Sequence, residues 1–220
     1  MPILGGGLMV AELVRTWVAG WAVSRRTPRP TELAWGLYVE VEVDDPKEVG
    51  RLVLPEPSAA TVRAAAASVA APHTWLKFPG EPRDAEPWLP EGWVVDEEES
   101  GHLMTAGLRR TEPVVPDGYT ASVETDGGVT FVRVHDAAGE LAAQGQTAVL
   151  GQASVVDRVV TQEAHRRRGL GGFVMRTLAD EALARGARVG VLGATDDGRA
   201  LYETLGWQLS TPLTECVYRP

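Results

Sequence analysis

The densest group of residues that could do chemistry in this chain is the run of arginines and glycines from Arg166 to Gly172. An apolar segment that predicts a buried strand precedes the run, and a segment with helical periodicity follows it. Glycine has no Cβ atom, so backbone N–H groups can approach a ligand closely there. The first turn of a helix adds N–H groups and the positive end of the helix dipole. The run therefore predicts an anion site that suits a pyrophosphate.

The spacing of this run differs from that of the two common nucleotide-binding loops. It lacks the Gly-x-x-x-x-Gly-Lys-Ser/Thr pattern, and it does not meet the dinucleotide pattern with an acidic residue about 20 positions further on. A glycine-rich turn with a solvated basic tail has the same composition. The run alone therefore leaves a purely structural interpretation open.

The pattern Arg166-x-x-Gly169-x-Gly171 is followed by a second motif at Gly198–Trp207, where Leu-Tyr precedes Leu-Gly-Trp. The first pattern resembles the Gln/Arg-x-x-Gly-x-Gly/Ala signature of coenzyme A binding in the GCN5-related N-acetyltransferases (GNAT). The second resembles that family's helix that carries Leu-Tyr and then Leu-Gly-aromatic. Order and spacing agree with the family, so the C-terminal half, roughly residues 118–220, is identified as a GNAT member.

The resemblance implies acetyl-CoA as cosubstrate, with no metal. The backbone at the end of the fourth strand of this half would pair with the pantetheine amides like an added strand. The amides of the arginine–glycine run would hold the pyrophosphate. Many relatives have Asn seven residues before the signature tyrosine, where this chain has a threonine that replaces the amide only in part. The predicted cofactor-binding residues are Val160, Thr161, Arg166, Arg167, Arg168, Gly169, Leu170, Gly171, Gly172 and Thr195.

Tyr202 matches the tyrosine that donates a proton to the departing CoA thiolate in many relatives. A phenol has a reference pKa of about 10 and stays protonated at neutral pH. The alternative is that Tyr202 is a structural tyrosine at the edge of the core.

The general base that deprotonates the amine does not follow from the resemblance, because Val155 stands where the family's best-known Glu would align. Asp157, two residues on and so on the same strand face, is the candidate, with pairing to an arginine as the alternative and His135 and Glu124 as weaker candidates.

The resulting functional prediction is an acetyl-CoA-dependent N-acetyltransferase that acts on a primary amine by direct attack in a ternary complex, and the amine is expected to belong to a small molecule. Two alternatives stay open: a non-catalytic module that binds or senses CoA, and an enzyme that acetylates a protein amine. The acceptor, the length of the acyl group and the physiological role are not readable from the residues.

Composition restricts the partners. The 220 residues carry a net charge of −9, which argues against nucleic-acid binding and suits a cationic amine. The only cysteine, Cys216, excludes an internal disulfide and a zinc site built on paired thiols. His73 and His102 stand alone in the sequence.

No targeting or membrane-spanning segment is visible, so we expect a cytoplasmic protein. The predominance of arginine over lysine suggests a bacterial source. A homodimer is left open as an oligomeric state.

Two proline-bearing links divide the chain into predicted domains at residues 1–112 and 113–220. The second half predicts strands at 119–125, 129–135, 140–150, 154–161 and 188–192, helices at 169–184 and 197–205, and a last strand pair from Trp207. This is an α+β layout, and the resemblance implies the three-layer α/β/α acetyltransferase fold, with a central mixed, mostly antiparallel sheet and flanking helices.

The first half predicts a helix at 8–23, strands at 37–43 and 48–54, a helix from an N-cap at Ser58 to about Ala71, and a strand at 75–78. This order suggests a degenerate half-copy of the same fold that forms a wall of the acceptor pocket. Residues 54–65 contain no glycine, so we expect this half not to bind CoA.

Overall fold

The computed structural model describes residues 7–41 and 48–220, so the end of the strand predicted at 37–43 lies outside the described residues. In chain order the elements are α1 (Gly7–Arg25), β1 (Thr31–Leu33), β2 (Gly36–Val39), β3 (Gly50–Val53), α2 (Ala59–Ala67), β4 (Thr74–Pro79), α3 (Pro82–Ala85), β5 (Trp93–Val95), β6 (Gly101–Gly107), β7 (Thr120–Asp126), β8 (Val129–His135), β9 (Leu141–Leu150), β10 (Ala153–Thr161), α4 (Leu170–Ala184), β11 (Val189–Ala194), α5 (Asp196–Thr204) and β12 (Gln208–Tyr218), with 3₁₀ turns at Glu86–Trp88 and Glu163–His165.

The chain forms two compact units that differ from the predicted halves. Unit 1 comprises the residues up to Met104 together with Gly193–Arg199 and Leu209–Pro220, and unit 2 comprises Thr105–Leu192 and Ala200–Gln208. The last strand joins the first unit because β12 pairs antiparallel with β4 and β5, which come from the N-terminal half. A boundary near residue 112 follows local composition, whereas strand pairing depends on residues far apart in the chain.

Unit 1 is built around a sheet with helices on both faces. Strands β1, β2 and β3 pair antiparallel, β3 and β4 pair parallel, and α2 makes the crossover between them. One face packs Leu52, Leu76 and Phe78 against Val62 of α2. On the opposite face the guanidinium of Arg51 lies 4.6 Å from the ring centroid of Trp21 in α1.

The helices and strands predicted for the N-terminal half are present, but the strands predicted at 37–43 and 48–54 are shorter, at Gly36–Val39 and Gly50–Val53. The N-cap at Ser58 is present with its capping box, and α2 ends at Ala67 rather than near Ala71. The early end has a local cause, since the hydroxyl of Ser68 donates to the carbonyl of Ala65 at 2.6 Å and so competes with the helical hydrogen bond.

Unit 2 is an antiparallel meander of β7, β8, β9 and β10, after which β10 pairs parallel with β11. Helix α4 makes the crossover and packs on β8, β9 and β10. It approaches β9 at Gly145, where a Cβ atom would lie 2.7 Å from Cγ1 of Val174. The fold class is therefore α+β, with mostly antiparallel strands and flanking helices, as predicted.

Strands β12 and β6 differ from the sequence prediction. The last strand pair expected from Trp207 is one continuous strand, β12. Strand β6 was not predicted, because Gly-His-Leu-Met-Thr-Ala-Gly has neither β-branched enrichment nor clear alternation. No helix in the described residues is long and apolar enough to cross a membrane.

Candidate active site

Strand β10, which leads into the arginine–glycine run, is irregular near its end. Its register with β9 shifts between Asp157 and Val160, and Arg158 between them has φ +52°. Its parallel pairing with β11 covers Ala153 to Val155, upstream of the shift. Within the described residues the end of β10 thus has no strand partner on that side. Val160 is 45% exposed there, and an extended ligand could pair with this backbone.

The N-terminus of α4 is not capped by the protein itself. Its N-cap is Gly169 at φ +80°, a left-handed conformation, and no side chain accepts a hydrogen bond from the first turn. The first helical hydrogen bond is from Phe173 N–H to the carbonyl of Gly169, at 3.0 Å. At Gly171 a Cβ atom would lie 3.0 Å from Leu201 and 3.5 Å from Oγ1 of Thr161. The N–H groups of the first turn are therefore available to an anion.

The three arginines before this helix have different surroundings. The Nε of Arg166 donates to the carbonyl of Thr161 at a long 3.4 Å. One guanidinium nitrogen of Arg168 donates to the hydroxyl of Tyr119 at 3.1 Å. Arg167 has φ +62°. Cationic groups and helical N–H groups thus occur within one short segment, which favours a doubly charged anion such as a pyrophosphate.

The two predicted catalytic residues are neighbours in unit 2. Tyr202 on α5 is only 8% exposed, and burial, with a contribution from the negative charge of Asp157, raises the pKa of its hydroxyl to about 12. Its ring lies 6.2 Å from that of Trp207. The phenol is therefore a neutral hydrogen-bond donor at physiological pH, with a carboxylate close enough to influence it.

Thr195 has a structural role in the described residues. Its hydroxyl accepts a hydrogen bond from the backbone N–H of Gly198 at 3.2 Å, which caps the N-terminus of α5. Its carbonyl also accepts from Arg199 N–H at 2.8 Å. The role of Thr195 in cofactor binding stays a prediction, as do the individual roles of the other predicted site residues.

Comparison with known proteins agrees with this geometry. Residues 133–217 match the family model described as FR47-like protein. The whole chain is similar in structure to a GCN5-related N-acetyltransferase from Kribbella flavida, with a TM-score of 0.67 and 18% identity over 98% of this chain and 96% of that one. The chain therefore has the fold of the GNAT acetyltransferases, and its C-terminal region matches the FR47-like family model.

Other GNAT structures match less of the chain. A tandem GNAT protein from the clavulanic acid biosynthesis pathway, determined without AcCoA, has a TM-score of 0.52 and 14% identity over 74% of this chain and 69% of that one. A GNAT-family putative acetyltransferase from Novosphingobium aromaticivorans has a TM-score of 0.50 and 21% identity over 71% of this chain and 80% of that one. The similarity to a tandem protein is consistent with a chain built from two related halves.

The sequence missed a polar pair at the start of α5. His102, expected to stand alone, bonds through Nε2 to Oδ1 of Asp196 at 2.7 Å. Its Nδ1 is a buried atom without a hydrogen-bond partner in the described residues. The two residues are 94 positions apart, so no local pattern could have indicated the pair.

The remaining candidates have plain structural surroundings. Glu124, a weaker base candidate, is exposed and forms an ion pair with Arg133 at 3.3 Å. Cys216 is fully buried, and burial raises the pKa of its thiol to about 12. This fits the prediction of a small hydrophobic residue rather than a nucleophile. In the described residues no group of three His, Cys, Asp or Glu side chains could hold a metal ion.

Proposed function

We propose that this GNAT protein is an acetyl-CoA-dependent N-acetyltransferase that acetylates a primary amine of a small molecule in a ternary complex. The observation that carries the proposal is the N-terminus of α4, which begins at a left-handed glycine, lacks a side-chain cap and follows three arginines. A helix end of this kind is stabilised when an anion takes the place of the cap.

The residues around this helix end fit acetyl-CoA. The pyrophosphate would accept hydrogen bonds from the first-turn N–H groups of α4 and from the arginines. The exposed backbone at Val160 and Thr161 would pair with the pantetheine amides, because the register shift leaves that edge of β10 without a strand partner among the described residues. The thioester supplied by the cofactor is the acyl donor.

Tyr202 and Asp157 supply the proton chemistry of the proposed reaction. The amine nitrogen attacks the thioester carbon, the C–S bond breaks, and the amide and CoA are the products. Asp157 accepts the proton that the amine loses, and Tyr202 donates to the departing sulfur. The pKa of Tyr202 is about 12, above the reference of about 8.5 for a thiol, so its first contribution is a hydrogen bond to the developing thiolate.

The proposed acceptor is an amine that approaches as its ammonium cation and releases one proton to solvent before its nitrogen attacks. The net charge of −9 favours the approach of cations.

Calorimetric titration with acetyl-CoA tests the cofactor, with ADP as a matched ligand that carries a pyrophosphate but no pantetheine. We expect one site per chain and acetyl-CoA to bind at least about tenfold more tightly than ADP. The absence of binding at millimolar acetyl-CoA would overturn the proposal.

Release of free thiol, measured over a panel of small amines and lysine peptides, then tests the reaction. Turnover with a small amine supports the proposal, and turnover with peptides alone would transfer the acceptor to proteins. Tight binding without thiol release from any amine would instead support a CoA-binding or sensing module.

A further inference from the structure

We infer that Tyr119 and His165 are positioning residues, which hold the side chain of Arg168 in place for the phosphates of the cofactor. The inference rests on the proposed function, since it concerns the same anion site. Neither residue belongs to a motif, and Tyr119 lies 49 positions before Arg168.

A chain of hydrogen bonds links the three residues within unit 2. A guanidinium nitrogen of Arg168 donates to the hydroxyl oxygen of Tyr119 at 3.1 Å, and that hydroxyl lies 3.0 Å from Nδ1 of His165. Arginine can only donate, so the tyrosine oxygen accepts from Arg168. In the proposed network the tyrosine's own proton is directed to Nδ1. With Nδ1 as the acceptor, the imidazole carries a proton on Nε2, which lies 3.7 Å from a carboxylate oxygen of Asp136.

Asp136 lies at one end of this hydrogen-bond network, and backbone hydrogen bonds hold its carboxylate in place. Its carboxylate accepts hydrogen bonds from the backbone N–H groups of Ala138 and Glu140 in the turn between β8 and β9, at 2.9 and 3.0 Å. These bonds, that from Glu140 first, hold the pKa of Asp136 below its usual range. The rings of Tyr119 and His165 also meet edge to face, with centroids 5.7 Å apart. The network thus connects the segment before α4 to a hydrogen-bonded hairpin turn.

This arrangement distinguishes Arg168 from the other two arginines of the run. A free arginine side chain loses much rotamer freedom when it binds an anion, and that loss weakens binding. The bond to Tyr119 already restricts the side chain of Arg168 in the folded protein, and it uses a single one of its five N–H donors. By contrast, Arg166 makes only a long bond to a carbonyl, and no contact with an acidic group is found for Arg167 in the described residues.

The substitution Tyr119→Phe removes one oxygen atom and keeps the ring that packs on His165. We expect the Kd for acetyl-CoA to rise about fivefold, as for the loss of one hydrogen bond, with kcat at saturating acetyl-CoA unchanged. Tyr218→Phe is the matched control, because Tyr218 also packs on an aromatic ring, that of Trp93, but lies on β12 in unit 1. The control should bind acetyl-CoA like the wild type.

A double-mutant cycle with Arg168→Gln shows whether Tyr119 acts through Arg168. Once Arg168 is replaced, Tyr119→Phe should cause no further loss of affinity. If Tyr119→Phe weakens binding equally in both backgrounds, or strengthens it in the wild type, the inference is wrong. A wild type that fails to bind acetyl-CoA would overturn the proposed function, whereas a wild type that binds and a Tyr119→Phe variant that binds equally well would overturn this inference alone.

Substitutions of His165 supply a rescue experiment. His165→Asn can keep an acceptor near the position of Nδ1, whereas His165→Leu cannot. We expect the Asn variant to retain affinity close to that of the wild type and the Leu variant to resemble Tyr119→Phe. Equal losses in both variants would contradict a role for Nδ1 as the acceptor of the tyrosine hydroxyl.

Discussion

Two strand–helix–strand segments of this chain have the same local topology and different helix starts. In unit 1, α2 connects the parallel strands β3 and β4, and in unit 2, α4 connects the parallel strands β10 and β11. At the start of α2, the hydroxyl of Ser58 accepts from Thr61 N–H at 3.1 Å, and the hydroxyl of Thr61 accepts from Ser58 N–H at 2.8 Å. At the start of α4, Gly169 offers no such group.

The comparison connects the residue at the start of the crossover helix with the anion site that we propose for α4. In unit 1 the chain's own hydroxyls occupy the N–H groups that a phosphate would use, and residues 54–58 before the helix contain Glu56 and no basic residue. In unit 2 those N–H groups are left to a ligand, and three arginines replace the acid. In this proposal topology alone does not make an anion site, whereas the cap and the local charge do.

The largest effect is expected for Gly169→Asp, which places a negative charge where the pyrophosphate would bind. The affinity for acetyl-CoA should fall by at least about a hundredfold through repulsion and loss of the left-handed glycine. Calorimetric titration measures it.

Gly186→Asp is the control for this substitution. Gly186 follows the other end of α4, also has positive φ, and like Gly169 has no atom within 4 Å of an added Cβ. The control should lose stability and keep its affinity. Equal loss of affinity in both variants would mean that the effect comes from damage to α4 and not from the anion site.

The second prediction concerns the loss of stability at high pH through two buried groups that can lose a proton, the thiol of Cys216 in unit 1 and the hydroxyl of Tyr202 in unit 2. Burial raises the pKa of Cys216 in unit 1 from 9.0 to about 12, and that of Tyr202 in unit 2 from 10.0 to about 12. Each raised pKa contributes stability that is fully present below the unfolded value and is lost as the pH rises toward 12. At about 1.4 kcal/mol per pKa unit, the ionisation of Cys216 in the unfolded state would lower the free energy of unfolding by on the order of 4 kcal/mol between pH 9.0 and about 12.

Urea unfolding of the wild type and of Cys216→Ala at several pH values above neutrality measures this contribution. The difference in free energy of unfolding between the two proteins should shrink as the pH rises above 9.0. Using the difference removes contributions common to both, including that of Lys77, whose pKa burial lowers. A difference that does not change with pH would show that the thiol is not the group responsible.

A smaller effect is expected for Tyr202→Phe, which removes the hydroxyl beside Asp157. We expect turnover to fall by at least about tenfold, since one donor to the leaving sulfur is lost, with nearly unchanged affinity for acetyl-CoA. Steady-state thiol release and calorimetry separate the two quantities. Tyr38→Phe, on β2 of unit 1, should behave as the wild type, and unchanged turnover in Tyr202→Phe would remove the hydroxyl from the mechanism.

The smallest effect is expected for Ser58→Ala, which removes the cap of α2. It should lower the free energy of unfolding by about 1 kcal/mol and leave both the affinity for acetyl-CoA and the one-to-one stoichiometry unchanged. Appearance of a second acetyl-CoA site would show that the hydroxyl cap alone had closed the N-terminal helix to phosphate, and that an anion site of this kind does not require the arginines.

Local elements of both units could be predicted because their signals lie within a few residues. The cap at Ser58, the strand at Val129–His135 and the helix start at Gly169 were placed from residue type and periodicity alone. Strand β6 could not be predicted, since its small and polar residues have no strand preference of their own. The register shift in β10 was also unreadable, because it depends on pairing with β9.

The amino-acid sequence by itself predicted the anion loop, the helix that carries Tyr202 and the resemblance of the C-terminal half to the GNAT family, since each depends on residues close together in the chain. Only the tertiary structure decided which distant residues meet. It paired β12 with β4 and so buried Lys77 beside Glu215, brought His102 to Asp196, and placed Tyr119 against Arg168. Such contacts arise from strand pairing and helix packing between residues that are far apart in the chain, so the local spacing of residue types does not predict them.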